Sequence, residues 1–264
     1  MRDSEALCKK EQGQDGPTPL RRLCVLSGSW LKVLALLSMT CDHAAYIVLR
    51  YAAGSGVQLP IGSDTLHTLY FLMRSVGRLA FPLFAFLVVE GFVHTRSRRR
   101  HGLGLLFFAL LSVVPWNLAR YGTLFTLASQ NVLFTLFLGF LVLCAARRWE
   151  EGKQSSLRIA AVLFTLLAAA RLLHTDYEAA GVGFILSLYV LRHSPALQAA
   201  IGFCILPVRW KVGLAFIPIN LYNGRRGFIR GAFAKYAFYL YYPLHLLLLY
   251  LIREALMASF APLR

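Results

Sequence analysis

The feature that most constrains this chain is a series of apolar runs long enough to cross a lipid bilayer. Residues 30–51, 67–93 and 235–257 each hold more than 20 residues with few charges, and about 20 apolar residues in a helix match the hydrocarbon core. Backbone placed in lipid has to satisfy its own hydrogen bonds, and for runs of this length the helix does so. Nine candidate spans can be read, at about 30–51, 67–93, 102–120, 131–148, 157–174, 178–193, 196–208, 210–222 and 235–257. The seventh and eighth are short and hold Pro207 and Pro218. They read as kinked crossings, a re-entrant pair, or helices reaching past these bounds. The expected fold is all-α, a polytopic integral membrane helix bundle of about nine transmembrane helices. It occupies residues 30–257, with a disordered polar N-terminal tail at 1–29 and a short C-terminal tail at 258–264.

Charge gives the orientation. The chain carries 28 Lys and Arg against 12 Asp and Glu, is 58% hydrophobic and has a mean hydropathy of +0.58. The excess lies in alternate loops: Arg21 and Arg22, "HTRSRRRH" at 94–101, "RRWEEGKQSSLR" at 147–158 and "NGRRGFIRGAFAK" at 223–235. Basic loops face the cytoplasm, so the N-terminus is expected there, and membrane topology rather than a nucleic-acid partner explains the charge. Cys8, Cys24, Cys41, Cys144 and Cys204 form no CxxC pair. Neither a disulfide framework nor a metal site is expected.

Polar residues at membrane depth point to chemistry. A charge at the bilayer centre costs about 2.5–3.5 kcal/mol on insertion scales, and such residues face the bundle interior and find partners. "LSMTCDHAAYIVL" (37–49) places Asp42 and His43 inside the first span; the second carries Arg74, Arg78 and Glu90, and the ninth His245. Asp42 and Tyr46 share a helix face, while His43 projects about 100° round from Asp42. Asp42 is expected to neutralise Arg78, leaving His43 for proton transfer near neutral pH. Pro82 and Pro243 predict kinks. The loop from Tyr222 to Lys235 joins three glycines to Arg225, Arg226, Arg230 and Lys235. It suits phosphates, or equally anionic lipid; Arg98 to Arg100 form a second basic cluster. Asp176 and Glu178, in an outer loop, would attract a cationic amine. Each of these features also has a plain structural reading, as ion pair, core histidine or orientation signal, and the residues alone leave both open.

The segments "MTCDHAAY", "RSVGRLAFPLFAFLVVEGF", "LYNGRRG" and "YAFYLYYPLHLLLLYLI" together resemble the TraX family, the F-pilin acetylation proteins of conjugative plasmids, over residues 30 to 255. The resemblance implies a multi-pass inner-membrane protein that N-acetylates a pilin subunit. It is similar to wider groups of membrane acyltransferases that take acetyl-CoA from the cytoplasm and use a membrane-embedded histidine. The matching positions are Asp42, His43, Arg78, Glu90, Asn223, Gly224, Gly227 and His245. On this reading His43 is the general base, or carries the acetyl group covalently; Asp42, Arg78 and His245 assist it. Asn223, Gly224, Arg225, Arg226, Gly227 and Arg230 hold the phosphates of acetyl-CoA, the donor substrate, while Glu90, Arg74 and Tyr46 meet the acceptor. Expected partners are a pilin-like peptide, glycan or lipid acceptor and membrane lipids, with no nucleic acid. A proton-coupled secondary transporter and a non-catalytic membrane assembly factor are the rival readings. The lack of repeated halves weighs against the transporter.

Overall fold

The computed structural model describes residues 24–54, 62–206 and 209–260. Most of the expected N-terminal tail, Pro207 and the last four residues lie outside them. Twelve α-helical segments run through the described residues, with isolated bridges but no named strand. They are α1 (Gly28–Ala44), continued by a π turn (Ala45–Leu49) into α2 (Arg50–Gly54), then α3 (Ser63–Gly77), α4 (Ala80–His94), α5 (Arg98–Leu111) and α6 (Val113–Tyr121). After these come α7 (Val132–Glu150), α8 (Ser156–Leu172), α9 (Glu178–Val190), α10 (Pro195–Ile205), α11 (Arg209–Asn220) and α12 (Gly231–Phe260). Described structure extends on either side of residues 30–257. Leu26 is already bridged to Tyr222, and α12 runs past residue 257.

The described residues are helical through most of each expected span, but nine crossings are not confirmed. Gly28–Leu49, Ser63–His94, Val132–Glu150 and Tyr236–Ser259 are long and apolar enough to cross a membrane. The pair α5 and α6, bent by 40°, makes a fifth if counted as one span. α9, α10 and α11, with 13, 11 and 12 residues, reach only about 16–20 Å at 1.5 Å per residue, against a core of about 30 Å.

Two prolines set two interruptions. A helical proline removes one hydrogen bond and its ring crowds the carbonyl four residues back. Four residues before Pro82 is Arg78, where α3 gives way to α4. Four before Pro115 is Leu111, where α5 gives way to α6 at Ser112. The second span is therefore two helices meeting at Arg78–Leu79 rather than one helix kinked at Pro82. α12, by contrast, continues unbroken through Pro243.

Packing inside lipid depends on close fit, because the surrounding tails are as apolar as the side chains. Leu31, Leu83, Leu143, Phe184, Ile185 and Leu246 are essentially without exposed surface. Leu37, Phe71, Leu103, Phe107, Leu248 and Leu251 face outward, as lipid-facing residues do. The closest helix approach that matters for the site is at Gly77. A Cβ there would sit 2.7 Å from Asp42 Cγ, so α3 lies directly against α1. Ser38 Oγ fastens the crossing by donating to the Val76 carbonyl at 2.5 Å.

Candidate functional site

The first, third, sixth and twelfth helices converge on His43. Its Nδ1 lies 2.7 Å from Nε2 of His245 on α12, with the two rings nearly parallel. His245 Nδ1 lies 2.9 Å from the backbone carbonyl of Tyr241. Residues four apart share a helix face, and the Tyr241 ring stacks on His245 at 5.1 Å. Trp116 and Tyr242 meet His43 edge-on at 6.3 and 6.1 Å.

This geometry fixes the protons. A carbonyl only accepts, so His245 Nδ1 carries hydrogen. In a neutral imidazole its Nε2 is then an acceptor. His43 Nδ1 must therefore donate, which leaves Nε2 of neutral His43 with a lone pair and no partner among the described residues. Behind the pair, Thr40 donates to the Leu36 carbonyl at 2.9 Å and takes the Tyr241 hydroxyl at 2.7 Å.

The carboxylate beside His43 belongs to a different set. Asp42 pairs with Arg74, not with Arg78. The reason is the break in the second span. Arg74 lies in the last turn of α3, which Gly77 presses against Asp42, whereas Arg78 is the helix cap beyond it. Arg78 remains within Coulombic range of Asp42 and lies beside the Tyr177 phenol. Burial pushes that phenol well above its ordinary pKa, so it stays protonated. Tyr46 takes the Arg74 guanidinium on its ring face at 5.3 Å, so the shared face read for Asp42 and Tyr46 is joined by one arginine.

Sequence reasoning missed two contributors and put a third, Asp176, among different neighbours. Trp116 and Arg120, four apart on α6, flank His43 and Tyr46, and the Arg120 guanidinium lies 5.1 and 5.3 Å from the Trp116 and Tyr46 rings. Asp176 sits within Coulombic range of Arg120, Asp42, Arg78 and Arg74. An arginine at the expected end of a span reads as a boundary charge. The aromatic-flanked "PWNLARY" around it is the only signal available. Both acids read as an attractor for a cationic amine already have arginines for neighbours: Asp176 lies among several, and Glu178 pairs with Arg171 at 2.9 Å.

Glu90 is not brought to His43. It lies twelve residues beyond Arg78, about 18 Å along α4, with His94 at 3.6 Å and the Tyr222 hydroxyl within Coulombic range. It thus belongs with the basic loop at the start of α1. That loop is docked by backbone: Leu26 N–H to the Leu221 carbonyl and Asn223 N–H to the Leu26 carbonyl, both 2.9 Å, and Gly28 N–H to the Arg225 carbonyl at 2.8 Å. Ser29 Oγ donates to the Arg226 carbonyl at 2.8 Å and accepts from Ile229 N–H at 2.7 Å. Asn223 Oδ1 caps Arg225 N–H at 3.0 Å. Gly224 and Gly227 have φ of +73° and +82°, so their spacing follows from chain path. The side chains of Arg225, Arg226 and Arg230 remain exposed.

Gly227→Val tests this docking. Its φ is one that side-chain residues rarely adopt, and a Cβ would lie 2.7 Å from Ser29 Oγ and 2.8 Å from Ser27 Cβ. A loss of about 1–3 kcal/mol is expected from the backbone strain alone, read by thermal unfolding in detergent.

The comparisons with known proteins agree with one another. The family model described as "TraX protein" matches residues 27–253. A protein of Dichelobacter nodosus described as "Probable fimbrial assembly protein FimC, serogroup H1" is 30% identical, the match covering 83% of this chain and 92% of that protein. No solved structure matches.

Proposed function

The chain belongs to the TraX family, and from that premise we propose that it is a membrane-embedded acetyltransferase serving pilus or fimbrial assembly. It moves an acetyl group from cytoplasmic acetyl-CoA to an acceptor amine, a pilin-like N-terminus, or a hydroxyl. The observation that carries this reading is the proton order of the histidine pair, which leaves His43 Nε2 as an unengaged base inside the bundle.

An α-amine has a pKa of about 7.7–8.0 and is a nucleophile only without its extra proton. His43 Nε2 takes a proton from the attacking amine as nitrogen adds to the thioester carbonyl. The C–S bond then breaks and the thiolate leaves with a proton. The imidazolium so formed shares its charge with His245 through the 2.7 Å contact. Arg74 is engaged by Asp42, so the arginine better placed to face an oxyanion is Arg78, which lies beside a neutral phenol. The donor's phosphates rest on Arg225, Arg226 and Arg230. Gly28 is fifteen residues before His43, about 22 Å along the first helix, a gap suited to a thioester carried on a long flexible arm. The basic loops support a cytoplasmic side for that end, and a cytoplasmic donor is what favours the inner membrane as the protein's location.

The double change Arg225→Gln, Arg226→Gln is expected to weaken coenzyme A binding by about tenfold or more, since charge-assisted phosphate contacts are the strong ones. Calorimetry on the purified chain measures this. Mass spectrometry of an amine-bearing peptide incubated with acetyl-CoA reads the transfer itself. Solute uptake without any acetyl transfer favours transport instead. Normal fimbriation with a His43→Ala chain favours an assembly role without chemistry.

A further inference from the structure

One turn beyond His43, a cavity of about 430 Å³ opens, lined by Tyr46, Tyr51, Arg50, Arg120 and Arg253 among others. Its three guanidiniums are not equivalent. Arg253 is buried and fully engaged: it donates to the carbonyls of Ala119 and Leu118 at 3.0 and 3.4 Å and pairs with Glu254 at 2.8 Å. Arg50 and Arg120 instead lie over the Tyr46 ring at 4.9 and 5.3 Å, and Arg120 also meets Trp116 and Tyr121. Neither has a hydrogen-bond acceptor among the described residues. Stacking occupies the plane of a guanidinium and leaves its forked N–H edge for a planar or tetrahedral oxyanion.

The surrounding field has the same sign. Asp42 is held by Arg74 and Glu254 by Arg253. Asp176 is shared among Arg120, Arg78 and Arg74, and Lys211 lies within Coulombic range of Arg74 and Arg78. Cations outnumber carboxylates, and no acid is among the residues lining the cavity.

We infer that this cavity is an anion-binding site, taking a phosphate or carboxylate group against the guanidiniums of Arg50 and Arg120, both held over the Tyr46 ring. It is separate from the basic loop at the start of α1, and the inference does not depend on acetyl transfer.

The test uses the full chain in a maltoside detergent, with Trp30, Trp149 and Trp210 changed to Phe so that Trp116 alone reports. Inorganic phosphate is expected to change its fluorescence saturably. Arg120→Gln and Arg50→Gln should each raise the half-saturating concentration at least tenfold, while Arg225→Gln, Arg226→Gln leaves it unchanged. Arg50 is exposed, so its variant separates ligand loss from misfolding. A second arm repeats the titration in phosphatidylglycerol nanodiscs. Loss of the phosphate response there identifies a lipid headgroup as occupant, and its persistence a soluble anion. No saturable response in detergent, or one indifferent to both arginine changes, overturns the proposal.

Discussion

His43→Gln is expected to lower acetyl transfer by about 10²–10⁴-fold, the range a positioned general base supplies, with coenzyme A affinity unchanged. Glutamine keeps a donor that can reach His245 but has no titrating nitrogen. The basic loop lies about 22 Å along the helix, so donor binding should not register the change. His245→Gln is the informative companion. Its amide oxygen can still accept from His43 Nδ1, so the loss should be smaller than for His43→Gln, with the pH profile altered. Acetylation is read by mass spectrometry of the acceptor and donor binding by calorimetry. Full transfer by His43→Gln would remove His43 from the chemistry.

Arg74→Met should be the most destabilising single change in the site. Asp42 and Arg74 are mostly buried, with side chains 19% exposed each, and Asp42 Oδ1 has no hydrogen-bond partner among the described residues. Removing one member of a buried pair leaves an uncompensated charge and costs about 3–5 kcal/mol. Arg78, within range of Asp42 but beside Tyr177, recovers only part of that. Adding Asp42→Asn to Arg74→Met removes the stranded charge, and the double variant should regain most of the loss in detergent unfolding. A double variant no more stable than Arg74→Met would mean that packing, not the ion pair, holds this crossing together.

The depth of polar residues was legible in the sequence; their partners were not. Asp42, His43 and His245 could be placed at a common level because one residue in a helix adds about 1.5 Å, and that holds across separate spans. Pairing Asp42 with Arg78 needed the second span to be one helix, and it is two. Pro82 was visible, but its effect falls at the carbonyl four residues earlier, so the interruption lands on Arg78 itself. Gly77, the small residue that brings α3 against Asp42, carries no chemical signal in one sequence. Arg120 was hidden for another reason. At the end of a hydrophobic stretch an arginine looks like a water-facing charge, and only the neighbouring Tyr46 and Trp116 rings, from a distant helix and from its own, show otherwise. The glycine-rich loop stood out in the sequence for its spacing, and its glycines answer to backbone docking on Ser27 and Ser29, which leaves the side chains of Arg225, Arg226 and Arg230 exposed.

The π turn after His43 has a consequence for how such proteins diverge. Its cap closes on Ala45 from Arg50, one residue further than an α turn allows, so the stretch holds what amounts to an inserted residue. Deleting one residue from Ala45–Leu49 would let ordinary helix resume, and because a π turn absorbs its extra residue by widening, Arg50 and Tyr51 would keep nearly the same aim. The same deletion from the α-helix before His43 has no such slack and would rotate the histidine by about 100° against the residues upstream. Lineages that lose a residue within this stretch should therefore keep the molecule they admit, whereas those that lose one upstream should not.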